Sequence, residues 1–414
     1  MRPAPLPDIE ELLVSPSFPD HQHDVHHRLR RMNPVYWSPA LQQWLVTGYA
    51  LTDAVLSDPG RFSSVGAERR HVSLLDDHVT ESVPSLVSHF QTPQLNITDP
   101  PDHRRIRKAV ARSFLPSEVR RIEPMIAATA ARLLDEAADR GGVDLMSDYA
   151  ARLPVEVIAA FIGVPRHRLA DIPRVTLDQR FFFGTTPPTP QQATAFDRSI
   201  AEWHELLAES IRHRTEHPGD DVLTRLSVSV ADASMSMDEA IATGLHLVIA
   251  GNSTTTALIG NTLLALMTHP DQMARVRADP TLTVAAVEES LRHEAPLPRD
   301  RRTATAATTL GGMTIEAGDT VVAVLAAANR DPDVFVRPDD FDLTRAFTSN
   351  QHAAFGRGIH FCLGATLARL EAAVAVRTVL DRPGAPLLPD GFAPEWHRVT
   401  THRSLTSLPV AGAD

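Results

Sequence analysis

The chain has 414 residues, 43% of them hydrophobic, one cysteine and a formal net charge of −11. That apolar fraction can bury a large core. A single cysteine excludes an intrachain disulfide and suits a reducing compartment, and the acidic balance argues against nucleic-acid binding, which needs a basic footprint.

Residues 1–20 carry neither an apolar signal core nor a membrane anchor and are expected to form an extended segment. Val35-Tyr36-Trp37 and Trp44-Leu45-Val46-Thr47 flank a turn-like stretch, Ser38 to Gln43, and read as a short hairpin. Residues 62–102 lack clear periodicity and are expected to be largely loop. Pro101 then opens a helix through His103, Ile106, Val110 and Phe114. Amphipathic helices follow over 118–138 and 149–162. Phe181-Phe182-Phe183 precedes a proline-rich break at 185–190, and another helix covers 193–214. Strand-like runs at 313–315 and 321–325 bracket a turn at Gly318-Asp319. No linker, repeat or low-complexity block divides the chain, which reads as helix-dominated with minor sheet.

Ser236-Met237-Asp238-Glu239 has the form of a capping box. The apolar periodicity that follows runs to Met267, and His269-Pro270 ends it. At 1.5 Å per residue this helix is about 45 Å long. Its middle, Ala250-Gly251-Asn252-Ser253-Thr254-Thr255-Thr256, gathers poor helix formers. Hydroxyls there can bond back to carbonyls and open the ladder, leaving room for a diatomic ligand or a water.

Cys362 lies in Phe355-Gly356-Arg357-Gly358-Ile359-His360-Phe361-Cys362-Leu363-Gly364, just before a helix-like run from Ala365 to Val379. Glycines let the backbone fold tightly beneath a flat ligand. A cysteine at a helix start has its anionic form favoured, and a thiolate ligand pushes electron density onto haem iron.

These residues resemble the haem-binding loop of the cytochrome P450 superfamily, Phe-Gly-x-Gly-x-His-x-Cys-x-Gly, followed by an Ala-Arg-x-Glu helix, here Ala368-Arg369-Leu370-Glu371. The resemblance implies a mainly α fold with minor β, formed as one domain over 1–414. Haem b, iron protoporphyrin IX, would lie between the long distal helix and the helix after the cysteine loop. Cys362 would ligate the iron, and Phe355, Gly356, His360 and Gly364 would shape the loop. Ala250 to Thr254 resembles the distal Ala-Gly-x-acid-Thr signature. It implies haem contact at Ala250, catalytic roles for Gly251 and Asn252, and a proton-delivering alcohol at Thr254. The departure is Ser253, where the family usually has Asp or Glu. A serine can pass a proton but holds no carboxylate charge. Water with Ser253, a polar group of the substrate, or a reaction without conventional two-proton delivery would each account for it.

Haem propionates need cationic donors. His103 and Arg107, four apart on one helix face, resemble the family's pair for that task. Arg302 matches its second arginine, with Arg299 and Arg301 as near rivals, and His360 is the loop histidine. Glu289 and Arg292 resemble a structural Glu-x-x-Arg ion pair. The family's third member, an arginine, is Asp340 here, and Arg345 and His352 are both candidates to replace it. Substrate-pocket positions implied by the family's loops are Phe181, Phe182, Leu247, Leu297, Arg299 and Thr400. The charge at Arg299 and Asp300 suggests a substrate with a polar handle.

No flavin segment, dinucleotide fingerprint or ferredoxin cysteine cluster is present, so the resemblance implies a separate ferredoxin or flavodoxin with its reductase. Arg104, Arg105, Lys108, Arg112 and Arg357 are candidates for a basic docking patch. The expected activity is a cytoplasmic haem-thiolate monooxygenase acting on a small organic substrate, free or carrier-held, in secondary-metabolite biosynthesis, with neither membrane nor nucleic acid as a partner. The rival readings are an atypical relative performing oxidative coupling, a nitric oxide reductase suggested by Ala250-Gly251-Asn252-Ser253-Thr254, and a non-catalytic haem-thiolate binding protein.

Overall fold

The computed structural model describes residues 5–66, 68–140, 143–184, 187–347 and 351–410. They divide into two compact units: one of Met1–Phe62, Glu123–Leu153 and Thr254–Asp414, the other of Ser63–Ile122 and Pro154–Ser253. The chain passes between units at 62/63, 122/123, 153/154 and 253/254. No single cut therefore separates them, which explains why the sequence shows no linker.

The strands are β1 Val35–Ser38, β2 Gln43–Val46, β3 Phe62–Ser63, β4 Val143–Asp144, β5 Asp300–Ala304, β6 Thr308–Leu310, β7 Met313–Ile315, β8 Thr320–Ala323 and β9 Pro409–Val410. The main sheet runs β1-β2-β8-β5-β3. The β1–β2 hairpin forms as the sequence predicts, with Tyr36 opposite Leu45. β2 then pairs parallel with β8, Trp44 opposite Val321, and β8 pairs antiparallel with β5. Alternation along the strands sorts side chains to two faces. Val35, Trp44, Val46, Val321, Ala323 and Ala304 enter one core cluster. Tyr36, Leu45 and Val322 enter another with Phe18, Val25 and Leu29. With both faces covered, every residue of β1, β2 and β8 is buried. The runs on either side of Gly318 do not pair with each other: β7 pairs with β6, and Leu325 already begins a helical turn, Leu325–Ala328.

Residues 1–20 are not an extended segment. Helices Pro7–Val14 and Phe18–Met32 occupy the described part. Each has proline at its start, where the missing N–H is not needed, and Asp8, Glu10 and Asp20 lie in the first turns, next to the positive helix ends. Ile9, Leu13 and Phe18 are buried in the second cluster. The helix expected over 118–138 is two helices, Pro116–Arg121 and Glu123–Ala138. Pro124 cannot donate and crowds the carbonyl four residues back, so a continuous helix is broken there. The helix expected over 149–162 is a π-helical turn, Leu145–Ala150, and then Leu153–Ile162. The Asp144 carboxylate caps the turn by accepting from the Met146 and Ser147 amides.

Residues 62–102, expected to be loop, hold three short helices in the second unit, Arg69–Val72, Asp77–Glu81 and Pro84–Gln91. Such short helices give little periodicity to read, and tertiary contacts hold them. The Asp197 carboxylate accepts from the Leu86 amide at 2.8 Å, and Phe90 packs among Phe182, Phe183 and Phe196. Helix Asp171–Gly184 ends just before the predicted proline-rich break, of which 185 and 186 lie outside the described residues. Helix Pro190–Glu216 opens on a capping box of Thr189 and Gln192.

The long helix spans Met237–Thr268, 32 residues. Its predicted capping box is present: the Ser236 amide donates to Glu239 at 2.9 Å, and the Glu239 amide donates to Ser236 Oγ at 3.1 Å. Arg105 also grips Glu239, at 2.6 Å. The helix continues unbroken through residues 250–256.

Candidate active site

The cysteine loop is shaped by two glycines at positive φ, Gly356 at +69° and Gly358 at +63°. Gly358 has a second constraint. A Cβ there would stand 2.8 Å from the Leu56 carbonyl oxygen and 3.0 Å from Ser57 Cα, both backbone atoms that cannot rotate away. At Gly356 the nearest atom is the His360 oxygen, 3.9 Å off. The loop is thus pressed onto the end of helix Tyr49–Ser57. The Cys362 amide donates to the Phe355 carbonyl at 2.9 Å, and Gly358–His360 form one 3-10 turn. Gly364 is the N-cap residue of helix Ala365–Leu380, so half-buried Cys362 lies at the positive end of that helix. Arg357 locks the loop from inside, donating to Tyr49 Oη at 2.8 Å, to the Gln351 and His352 carbonyls, and to Asp53 at 3.1 Å. These bonds commit its guanidinium to holding the loop.

Behind the loop, Glu289 and Arg292 form the expected ion pair at 2.7 Å, both side chains fully buried. The structure resolves which residue joins them. Arg345 Nε reaches Glu289 at 3.2 Å, whereas His352 pairs with Glu288 at 3.1 Å. Asp340 takes part through its backbone, its carbonyl accepting from Arg292 Nη2 at 2.8 Å. Arg369 of the Ala-Arg-x-Glu stretch holds Glu288 at 2.5 Å and lays its guanidinium over Phe355, 4.5 Å from the ring centre. Burial pushes Glu288 upward, but the bonds from His352 and Arg369 hold it down at about 2. Glu371 has no such partner for Oε1, and burial pushes its carboxyl up to about 8. Neither the Glu288 pairing nor a neighbouring hub was predicted. In that hub, Glu294 binds His23 at 2.7 Å, Arg403 at 2.9 Å and Arg330 at 3.2 Å. Its partners come from residues far apart in the chain, and the sequence gives no signal of their meeting.

Arg302 is buried on β5, with Nη1 donating to Asp300 at 2.8 Å and to the Arg301 carbonyl, so Nε and Nη2 remain to donate. Arg299 does not share its face. Arg302 lies opposite Val321 and Arg301 opposite Val322, on the two sides of the sheet, and Arg299 stands over Phe18 on the Val322 side. Leu297 and Thr400 are half-buried.

In the second unit, His103 is buried and Arg107 half-buried on one face of helix Asp102–Ala111. Burial first, then the Arg107 charge, pulls the His103 imidazole below its ordinary pKa. Arg104, Lys108 and Arg112 are exposed at a spacing of four along the same stretch, while Arg105 is tied to Glu239 and Asp102. Gly251 has a packing reason: a Cβ there would come within 2.5 Å of Ile158 Cδ1. The Asn252 amide donates to Thr176 Oγ1 at 3.1 Å, joining the long helix to Asp171–Gly184. Ser253 and Leu247 are buried, and Ala250 is half-buried. Thr254, first residue of the other unit's last segment, is half-buried. Phe182 is fully enclosed in its aromatic cluster, and Phe181 is 45% exposed.

The cysteine at a helix start and the glycine cradle fit a haem with its iron on sulfur, and buried Arg302 keeps donors for a propionate. The Cytochrome P450 family model matches residues 166–382. The chain belongs to the cytochrome P450 family. It is 37% identical to "Cytochrome P450 107B1" of Saccharopolyspora erythraea over 99% of both chains. It is 34% identical to "6-deoxyerythronolide B hydroxylase" of the same organism over 98% of both. Among solved structures, P450BioI in complex with hexadec-9Z-enoic acid ligated acyl carrier protein has a TM-score of 0.86 at 32% identity, covering 96% of this chain and 100% of that one. As a P450 the chain is an oxidoreductase that carries haem b on a cysteine thiolate, and Cys362, its single cysteine, supplies that ligand. Among the described residues no helix is long and apolar enough to cross a membrane.

Proposed function

We propose that this P450 is a cytoplasmic monooxygenase that oxidises a small organic substrate in secondary-metabolite biosynthesis, as one domain over 1–414. The cysteine loop carries the reading, above all Gly358 seated against the backbone at Leu56. When bound, haem activates dioxygen with two electrons per turnover. The protein's share is positional. Phe355, Gly356 and Gly364 shape the bed on which Cys362 is presented, while His103, Arg107, Arg302 and His360 neutralise the propionates. Ala250 and Gly251 keep the distal helix slim, and Asn252 ties it to Thr176. Thr254, helped by Ser253, holds and passes the protons that oxygen reduction consumes.

Electrons come from a ferredoxin or flavodoxin, supported by the exposed row of Arg104, Lys108 and Arg112. A carrier-held substrate draws support from the acyl-carrier-protein complex of the P450BioI relative. The first test is the reduced, carbon monoxide-treated protein, which should show the red-shifted Soret band of thiolate-bound haem. The second is oxygen uptake with a surrogate ferredoxin system. No oxygen uptake with any substrate would favour a binding protein, and NADH oxidation by nitric oxide without a carrier would favour the reductase reading. Ser253→Asp restores the usual acid; unchanged coupling and product would show that the serine sets nothing in the chemistry.

A further inference from the structure

Arg299 is 9% exposed, and its guanidinium stands over the Phe18 ring, 5.2 Å from the centre. Its Nε is buried without a hydrogen-bond partner. Among the described residues no carboxylate is paired with it. The acid next to it in the chain, Asp300, is paired with Arg302, and Asp20, two residues from Phe18, is paired with Arg398. His26 packs edge-on against the same Phe18 ring, is 2% exposed, and its Nδ1 also lacks a partner.

A guanidinium taken out of water without a counter-charge is costly, and one phenyl face returns only part of that. Folding alone gives no reason to keep the charge there. Burial pulls Arg299 down to about 9, with Arg301 adding repulsion, so it remains cationic near neutral pH. The fork of a lone arginine matches a carboxylate. The Phe18 ring belongs to an apolar cluster with Leu13 and Val322, which suits an organic tail. We propose that Arg299, assisted by His26 beside Phe18, is a binding site for the carboxylate of an acidic organic ligand.

The test uses haem-loaded protein, with binding by calorimetry and by thermal shift. The probes are hexanoate and decanoate, with the matching amides and inorganic phosphate as controls. A carboxylate should bind and raise the melting temperature, and its amide should do neither. Arg299→Met should weaken carboxylate binding roughly tenfold to a hundredfold, and in the absence of ligand should be at least as stable as the parent. Arg299→Lys, which keeps charge but not the fork, should fall between. His26→Gln should weaken binding less than Arg299→Met. Failure of every carboxylate to bind, equal binding of the amides, tighter binding of phosphate, or unchanged affinity in Arg299→Met would overturn the proposal. So would a destabilised, ligand-free Arg299→Met and Arg299→Lys, since that marks a purely structural residue. The thiolate haem band is recorded for each variant, which keeps loss of haem distinct from loss of the carboxylate.

Discussion

Gly356 and Gly358 offer a matched pair for dissecting how the cysteine loop is held. Both have positive φ, at +69° and +63°, so alanine at either bears a left-handed backbone cost of about 1–2 kcal/mol. Only Gly358 adds a collision, because its Cβ would meet backbone at 2.8 and 3.0 Å, whereas Gly356 has nothing nearer than 3.9 Å. Forcing that contact apart adds roughly 1–3 kcal/mol by analogy with overpacked cores. Gly356→Ala should therefore cost about 1–2 kcal/mol and Gly358→Ala about 2–5 kcal/mol. The assay is denaturant unfolding of each variant, together with the fraction of protein showing the thiolate-haem band after carbon monoxide. Gly358→Ala should lose most of that band, and Gly356→Ala should keep most of it. If the two lose equal stability, or Gly356→Ala loses more, the seating of the loop on residues 56 and 57 is not what shapes it.

Glu289→Gln leaves Arg292 and Arg345 without their carboxylate in a fully buried setting and should cost about 3–5 kcal/mol. Arg345→Gln, at a more exposed member, should cost about 1–2 kcal/mol; denaturant midpoints that rank them in reverse would refute the assignment of Arg345 as third partner. Gly251→Ala should cost about 1–3 kcal/mol through the Ile158 contact, and Ile158→Val, which removes Cδ1, should restore part of it in the double variant; strict additivity would count against this. Glu288, held at about 2 against an ordinary 4.5, has a folded pKa below its unfolded one. Its contribution is complete above that ordinary value and is lost as pH falls toward 2. Glu288→Gln should flatten this acid limb in a pH series of melting temperatures while lowering stability at neutral pH.

The features legible in the sequence were those written in short, contiguous residue patterns. The Phe355–Gly364 run, the Ser236/Glu239 capping box and the Val35–Val46 hairpin each depend on neighbours in the chain, and each formed as expected. The misread stretches depend on distant partners. The helices among 62–102 are too short to show a period, and residues 7–14 are helical because Ile9 and Leu13 find a cluster built largely from elsewhere. The choice between Arg345 and His352 was open because both follow Arg292 at similar distances, and only packing sends one to Glu289 and the other to Glu288. The separation of Arg299 from Arg302 needed the sheet register, since proximity in sequence says nothing about which side of a strand faces which core.

The parallel pairing of Trp44 with Val321 also sets a timetable for synthesis. A lone two-stranded hairpin is marginal in water, so β1 and β2 must wait for their central neighbour until Thr320–Ala323 has been made. The second unit ends at Ser253, so all of it is translated before β8. Until β8 arrives, β2 keeps an unmatched edge, the kind of surface that invites aggregation in a nascent chain.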